Sequence, residues 1–390
     1  MDEDNLDKYF NRKEHNDDEE EDDFYLLNPP KQRLWSHSWF INNPRSQSNL
    51  IEEYRHSPKH FREHMRMSEN SYIKILNLVS PLIIKQTTHL RRSITPHERL
   101  TATLQWMASG VSITKLSKNT NISTSALSGI IVETLMALLD KFQDQIRLPE
   151  SEDEWLLEAE KIRIKHNGVF PNVVGCIDGS HIEITKPEHS GSMYWSYLQK
   201  FTVNLMAVVG ADYKFLYVSV GNNGSRCDSV VLRSTKFYQR LKNDTLNLPK
   251  ERSIGNNSLP YVFLGDQGFA LEPEIMIPYS KARLRDDSDG RCHTFNYHLS
   301  ALRRIVENAF GQIKARFPIL KGPITCKLET MDKLVFVCCL LHNFLKNEDE
   351  EPFDFNLEIL PEQNLENQQS TSDASTVREK FADCLINLLN

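Results

Sequence analysis

Residues 173–185 read VVGCIDGSHIEIT. Apolar residues cluster and alternate as in a buried strand, yet Asp178 stands between Ile177 and Gly179. An unpaired carboxylate inside such a strand is costly unless something compensates its charge. A hydrogen-bonded turn, a salt bridge or a metal ion could each do so, and the surrounding sequence has to decide among them.

Similar strand-like runs follow at Thr202–Gly210, Phe215–Val220 and Tyr261–Leu264, separated by the turn signals PEHSGS, GADYK and GNNGS. Before the first strand, LPESEDEWLLEAEKIRIKHNGVF reads as a helix with an acidic start. After the last, the polar segment KARLRDDSDGRCH reads as a loop, and a long helix is expected from Tyr297 to Phe317, stopped by Pro318. The run ETMDKLVFVCCLLHNFL is apolar nearly all round, which predicts a buried helix in which Cys338, Cys339 and His342 are core residues. Strands interleaved with helices indicate an α/β domain.

The chain preceding this region reads differently. Ser68 is placed to cap a helix over ENSYIKILNLVSPLI, and Thr95-Pro96 with Glu98 to start a helical block running to Phe142. Within it, VSITKLSKNTNISTSALSGIIVETLMALL reads as helix, turn, helix. Ser112 caps the first helix, Asn121 and Ile122 lie in the turn, and Ser123 or Thr124 caps the second. That is the pattern of a helix-turn-helix, or of a plain helical hairpin. Few bases lie on the second helix, which argues against independent base reading.

The 390 residues are 39% hydrophobic and 25% charged, as in an ordinary globular protein with room for two or three domains. No apolar run is long enough to span a bilayer, and the acidic opening MDEDNLDKYF lacks a secretory h-region, so neither a membrane nor secretion is expected. Seven cysteines with no CxxC pair suggest neither a disulfide framework nor a zinc knuckle, and a reducing compartment fits. The net charge of −7 hides a division: residues 1–23 and 347–390 each carry −9, which leaves +11 on the body between them. A basic body suits a polyanionic ligand, and acidic ends aid solubility or bind partners. The expected organisation is an acidic disordered tail over 1–34, a helical region over 35–150, an α/β domain over 151–346 and an acidic, mostly linker-like tail over 347–390, in which VREKFADCLINLL reads as a short amphipathic helix.

Three acids sit where an acid is structurally awkward. Asp178 lies in GCIDGSH, Asp266 follows a strand in YVFLGDQGF, and Glu307 lies on the helix LSALRRIVENAFGQIKARF among Leu302, Ile305, Val306, Phe310 and Ile313. Strand-end carboxylates beside glycines can converge at one edge of a sheet, and a helix packed across it can add a third. Such a cluster repels itself and needs cations. Hard oxygen donors suit magnesium or manganese, and two such ions can activate water and stabilise a leaving oxygen in phosphodiester cleavage. Helical spacing places Ser300, Arg303, Arg304, Phe310, Gly311 and Lys314 on the face of Glu307. Arg303, Arg304 and Lys314 are therefore candidates for contact with DNA phosphates; the plainer alternative is that Arg303 and Arg304 form salt bridges to Glu307 or to surface acids.

These segments resemble PIF/Harbinger-type transposases and the nucleases derived from them. The motifs GCIDGSHIEI, YVFLGDQGFAL with IPY, FNYHLSALRRIVENAFGQIKARFPIL, RMSENSY, CDSVVLRSTKFYQRL and VCCLLHNFL occur in the family's order between about Trp35 and Leu345. The resemblance implies an RNase H-like mixed sheet flanked by helices, preceded by an all-α helix-turn-helix-like region. It implies a catalytic triad of Asp178, Asp266 and Glu307 holding Mg2+ or Mn2+, two ions per site. It further implies DNA as substrate, a Myb/SANT-like protein as DNA-binding partner, and a nuclear location, with cytoplasm as the alternative. A homo-oligomer is left open. Gln267 and Ala270 replace commoner neighbours of the second acid, and Cys227 stands where histidine is frequent. Asp228 is an accessory acid under this reading, either supporting the site or capping a loop. His181 lies three residues from Asp178, so strand alternation directs it to the opposite face. The function implied is DNA cutting by an active or host-retained enzyme, or, alternatively, a silent chromatin-associated scaffold or DNA-binding protein.

Overall fold

The computed structural model describes residues 57–87, 92–165, 168–255, 257–355 and 372–389. The acidic tail expected over 1–34 lies outside the described residues. The chain forms two compact units, residues up to 106 with 111–134, and residues 107–110 with 135–390. The division therefore falls sixteen residues before the expected boundary at 150.

The first unit is helical: α1 (Pro58–Met65), α2 (Glu69–Ile83), α3 (from Pro96, ending at Ser109), α4 (Ile113–Thr120) and the start of α5 (Thr124–Phe142). Local signals set these boundaries. The Ser68 hydroxyl accepts the Ser71 N–H, and the Ser112 hydroxyl accepts the Lys115 N–H. Thr95 and Glu98 form a reciprocal capping box: the Thr95 hydroxyl accepts the Glu98 N–H at 3.2 Å, and the Glu98 carboxylate accepts the Thr95 N–H at 2.8 Å. Asn121 ends α4 in the left-handed conformation at φ 56°, and the chain bends by 99° into α5. That angle is within the helix-turn-helix range. Tyr72 anchors the unit, packing edge-on against Phe61 and sharing a 2.9 Å hydrogen bond with the Thr101 hydroxyl.

The second unit carries a mixed five-stranded sheet in the order β3-β2-β1-β6-β7. After α6 (Glu152–Lys165), β1 (Val173–Glu183), β2 (Thr202–Val209) and β3 (Phe215–Asn223) run as an antiparallel meander. Two short helices follow, α7 (Asp228–Arg233) and α8 (Lys236–Lys242), then a separate hairpin of β4 (Arg252–Ile254) and β5 (Asn257–Leu259). The chain returns to the sheet as β6 (Val262–Leu264), parallel to β1, and β7 (Ile275–Met276), parallel to β6. This is the mixed α/β, RNase H-like architecture the motifs imply. The hairpin and β7 have no counterpart in the hydrophobic pattern, because runs of two or three residues carry no period.

Helices cover both faces. Val174, Ile177, Met206 and Val208 join Trp155 of α6, Val231 of α7 and Phe237 of α8 in one buried cluster. From the other face, α10 (Arg291–Arg316) packs on β1, after a short α9 (Lys281–Arg285) inside the segment expected to be a loop. The Cys176 thiol donates to the Leu302 carbonyl of α10 at 3.4 Å. α11 (Leu328–Asn347) packs on β3, with Cys338, Cys339 and His342 buried and His342 Nε2 at 2.8 Å from the Tyr213 carbonyl oxygen, as core residues should be. No single helix among the described residues is long and apolar enough to cross a membrane.

The acidic C-terminal stretch ends in the helix that VREKFADCLINLL offers: α12 (Ser372–Leu389) is longer than that segment and packs against α10. Phe381 is buried and stacks on Phe170 at 5.5 Å, while Arg291 of α10 pairs with both Glu379 and Asp383. The acids that made this segment look like a solvated tail are in part the ones that dock it.

Candidate active site

β1 runs through Asp178 without a break. Its pairing with β2 sets Asp178 opposite Ala207, with Ile177 opposite Val208, Gly179 opposite Met206 and His181 opposite Asn204. Residues paired across strands share a face, so Asp178 points away from the apolar cluster and toward α10. His181 points to the other face, as alternation predicts. The question posed by Asp178 thus has a structural answer: its carboxylate lies 3.6 Å from Arg303 Nη2. The same nitrogen donates to Glu307 Oε1 at 2.8 Å, one helical turn along α10. Side-chain exposure is 14% for both Asp178 and Arg303, against 38% for Glu307. Arg303 therefore joins the strand-borne and the helix-borne acid.

Asp266 follows β6, the strand beside β1. Its Oδ1 accepts the Gly268 N–H at 2.8 Å, which fixes the GDQG turn, and the Gln267 amide is held by the Tyr279 carbonyl at 3.1 Å. Burial pushes the Asp178 carboxyl well above the usual range, and the charges of Asp266 and Asp228 push the same way, against Arg303. Burial disfavours the Arg303 charge, yet Asp178, Asp266 and Glu307 together hold its pKa above the ordinary value. The three predicted acids and one arginine thus feel one another electrostatically.

Asp228 approaches from the opposite side of β1. It opens α7, is buried, and its Oδ1 accepts from the Asn204 amide at 2.6 Å. That oxygen would lie 2.2 Å from a Cβ built on Gly179, so residue 179 has to be glycine for the helix to approach the strand. Burial raises the Asp228 carboxyl to about 6. Asn204 escaped the sequence reading. Its signal was an amide in the otherwise apolar run TVNLMAVV, where a buried side-chain amide needs a polar partner.

Of the bases predicted to meet phosphate, Arg303 is engaged by acids, as the plainer alternative supposed. Arg304 is exposed, and Lys314 is half-buried near His181, where its charge and, above all, burial lower the imidazole pKa to about 4. A divalent cation fits this donor set in kind, since repelling, mostly buried carboxylates need positive charge. In the present arrangement Arg303 supplies that charge, and among the described residues no three His, Cys, Asp or Glu side chains are gathered closely enough to hold a metal.

Comparison with known proteins gives a consistent picture. Residues 177–343 match the DDE superfamily endonuclease family, a span that contains Asp178, Asp228, Asp266 and Glu307. Protein ALP1-like of Arabidopsis thaliana is 27% identical over 76% of this chain and 73% of its own. The Arabidopsis protein Antagonist of Like Heterochromatin Protein 1 is 26% identical over 80% of this chain and 77% of its own. The Homo sapiens protein named "Putative nuclease HARBI1" is 24% identical over 76% of this chain and 82% of its own. No solved structure matches.

Proposed function

We propose that this chain, which carries a DDE superfamily endonuclease domain of the Harbinger-transposase-derived kind, cuts DNA phosphodiester bonds with the help of divalent metal. What supports the reading is that Asp178 on the central strand and Glu307 on the helix across it share Arg303, and that the charge of Asp266, at the end of the neighbouring strand, acts on both Asp178 and Arg303. Asp178, Asp266 and Glu307 would hold Mg2+ or Mn2+, two ions in the full site. The bound cations supply Lewis acidity for the attacking water and the leaving oxygen. The protein's own part is positional. Asp178 is fixed by the sheet and by the Gly179 N–H, which donates to its Oδ1 at 2.9 Å. Asp266 is fixed by the Gly268 N–H. Arg303 balances the acids and, once displaced from Asp178, can reach a phosphate oxygen beside Glu307. Arg304 and Lys314 extend the same helix as phosphate contacts.

The test is nicking of plasmid DNA by the purified chain with Mn2+ or Mg2+, alone and with a Myb/SANT-like partner supplied. Asp178→Ala, Asp266→Ala and Glu307→Ala are each expected to abolish nicking. Undiminished nicking by Asp178→Ala would remove the proposed role.

A second reading, a catalytically silent chromatin-associated scaffold, is favoured by Arg303, whose one positive charge is already shared between Asp178 and Glu307. The name of the second Arabidopsis relative points the same way. A scaffold need not bind metal at these acids, so a Mn2+ titration separates the two readings. Work on DNA under either reading makes the nucleus the proposed location, with cytoplasm as the alternative.

A further inference from the structure

Between β1 and β2 the chain folds a hairpin that the metal-site chemistry does not use. Trp195 and Phe201 face each other as an antiparallel bridge, and their rings meet edge-on at 5.0 Å. The Ser196 N–H and hydroxyl both donate to the Lys200 carbonyl, at 2.9 and 3.0 Å, so the turn is rigid. The Ser225 hydroxyl ties the hairpin to the loop before α7 by donating to the Met193 carbonyl at 2.7 Å.

On this braced backbone the side chains break the usual rule. Met193 is 52% exposed, Trp195 44% and Tyr197 45%. Single exposed apolar residues are ordinary, but three large ones clustered on one rigid hairpin leave much apolar surface in water. Their neighbours are mostly cationic. Lys186 Nζ lies 5.5 Å from the Phe201 ring centre, and Arg226 is exposed on the tied loop. Lys200 pairs with Glu183 at 2.6 Å, and Glu188 is exposed nearby in sequence. Aromatic faces edged by lysine and arginine suit a nucleic-acid strand whose bases are open for stacking, with its phosphates on the cations. The paired bases of an intact duplex offer no such faces.

The hairpin is also close to the proposed chemistry. The Tyr197 ring packs edge-on at 5.2 Å against His181, which lies three residues beyond Asp178 on β1. That separation is about 10 Å along the strand, the length of a few nucleotides, with the His181 ring on the opposite face of β1 from Asp178, so DNA bound at both would pass the hairpin end of the strand.

We infer that the hairpin carrying Trp195 and Tyr197 is a stacking platform for an unpaired DNA base near the cut site. This rests on the DNA-cutting reading and adds the form of substrate it takes: DNA opened at or beside the scissile bond. The other occupant of such a surface is a second copy of this chain, and the test distinguishes the two.

The test uses the full chain without divalent metal, so that no DNA is cut. Affinities are measured by fluorescence anisotropy for a blunt duplex and for a forked duplex of the same sequence with an unpaired arm. The wild type is expected to prefer the fork by about 10-fold or more, the scale of one or two stacked bases. Trp195→Ala with Tyr197→Ala should erase the preference while leaving duplex affinity within about twofold, since the phosphate contacts remain. Trp195→Phe should keep most of it, because any aromatic face stacks. Equal wild-type affinity for fork and duplex would overturn the inference, as would a preference that survives the double substitution. Conversion of a dimer to a monomer by the double substitution, with the fork preference intact, would assign the surface to self-association instead. Asp178→Ala should retain the fork preference, which separates the outcomes. Metal-dependent nicking without fork preference sinks only the platform, and fork preference without nicking sinks only the nuclease reading.

Discussion

On one face of β1, Asp178 lies against Arg303, which also holds Glu307; on the other, Asp228 lies over Gly179 and accepts a hydrogen bond from the neutral amide of Asn204. Both acids are mostly buried within one strand's thickness. Burial raises both carboxyls, Asp178 well above its usual range and Asp228 to about 6. The first has an opposite charge beside it, the second a neutral amide. An acid balanced by a side chain able to move can change partners, whereas one held by an amide of the neighbouring strand is part of the packing.

The largest expected effect breaks the charged face. Arg303→Ala leaves Asp178 buried beside Asp266 with its ion-pair partner gone, and should cost about 3 kcal/mol of stability in urea unfolding. An effect below about 1 kcal/mol would mean that solvent already screens Asp178. Next, Gly179→Ala forces a methyl group onto the Asp228 carboxylate and should cost about 2 kcal/mol. Asp228→Ala, by removing the obstacle, should recover much of that loss in the double variant. Additive losses would show that Asp228 does not brace the strand.

A smaller effect separates the faces by pH. Because the folded-state pKa of Asp228 is raised, the unfolded chain releases this proton first, so the group stabilises the fold fully below about pH 4 and loses that contribution as pH rises through about 6. The change is at most about 3 kcal/mol across the whole window and less over any one pH unit, and Asp228→Asn should flatten the stability profile there. The smallest effect sharpens the contrast. Asp178→Asn removes a charge that burial disfavours while Arg303 keeps Glu307, and should raise stability by about 1 kcal/mol as it abolishes nicking.

Much of this was legible in the sequence because it follows local rules. The caps at Ser68, Thr95 and Ser112 are short-range hydrogen bonds, and β1 announced itself by alternation interrupted at Asp178. The pairing of Arg303 with Glu307 follows from their spacing of four on a helix. What escaped depends on distant partners. The reach of Arg303 to Asp178 requires α10 to lie across β1, which no spacing within either segment reports. α10 begins at Arg291 rather than Tyr297 because the Asp287 carboxylate accepts the N–H groups of Cys292 and His293, extending the helix into a stretch that reads as polar loop. The docking of α12 was hidden for the same reason, since Glu379 and Asp383 look like solvated charges until Arg291 is placed beside them.

The central claim is that Asp178, Asp266 and Glu307 form one cation site that Arg303 guards until metal arrives. The most direct measurement is calorimetric titration of the DNA-free chain with Mn2+, alongside the Asp266→Asn variant. The account predicts saturable binding in the wild type that falls at least about tenfold in the variant, as expected when a carboxylate ligand is lost. Binding that is absent from the wild type, or undiminished in Asp266→Asn, would contradict it.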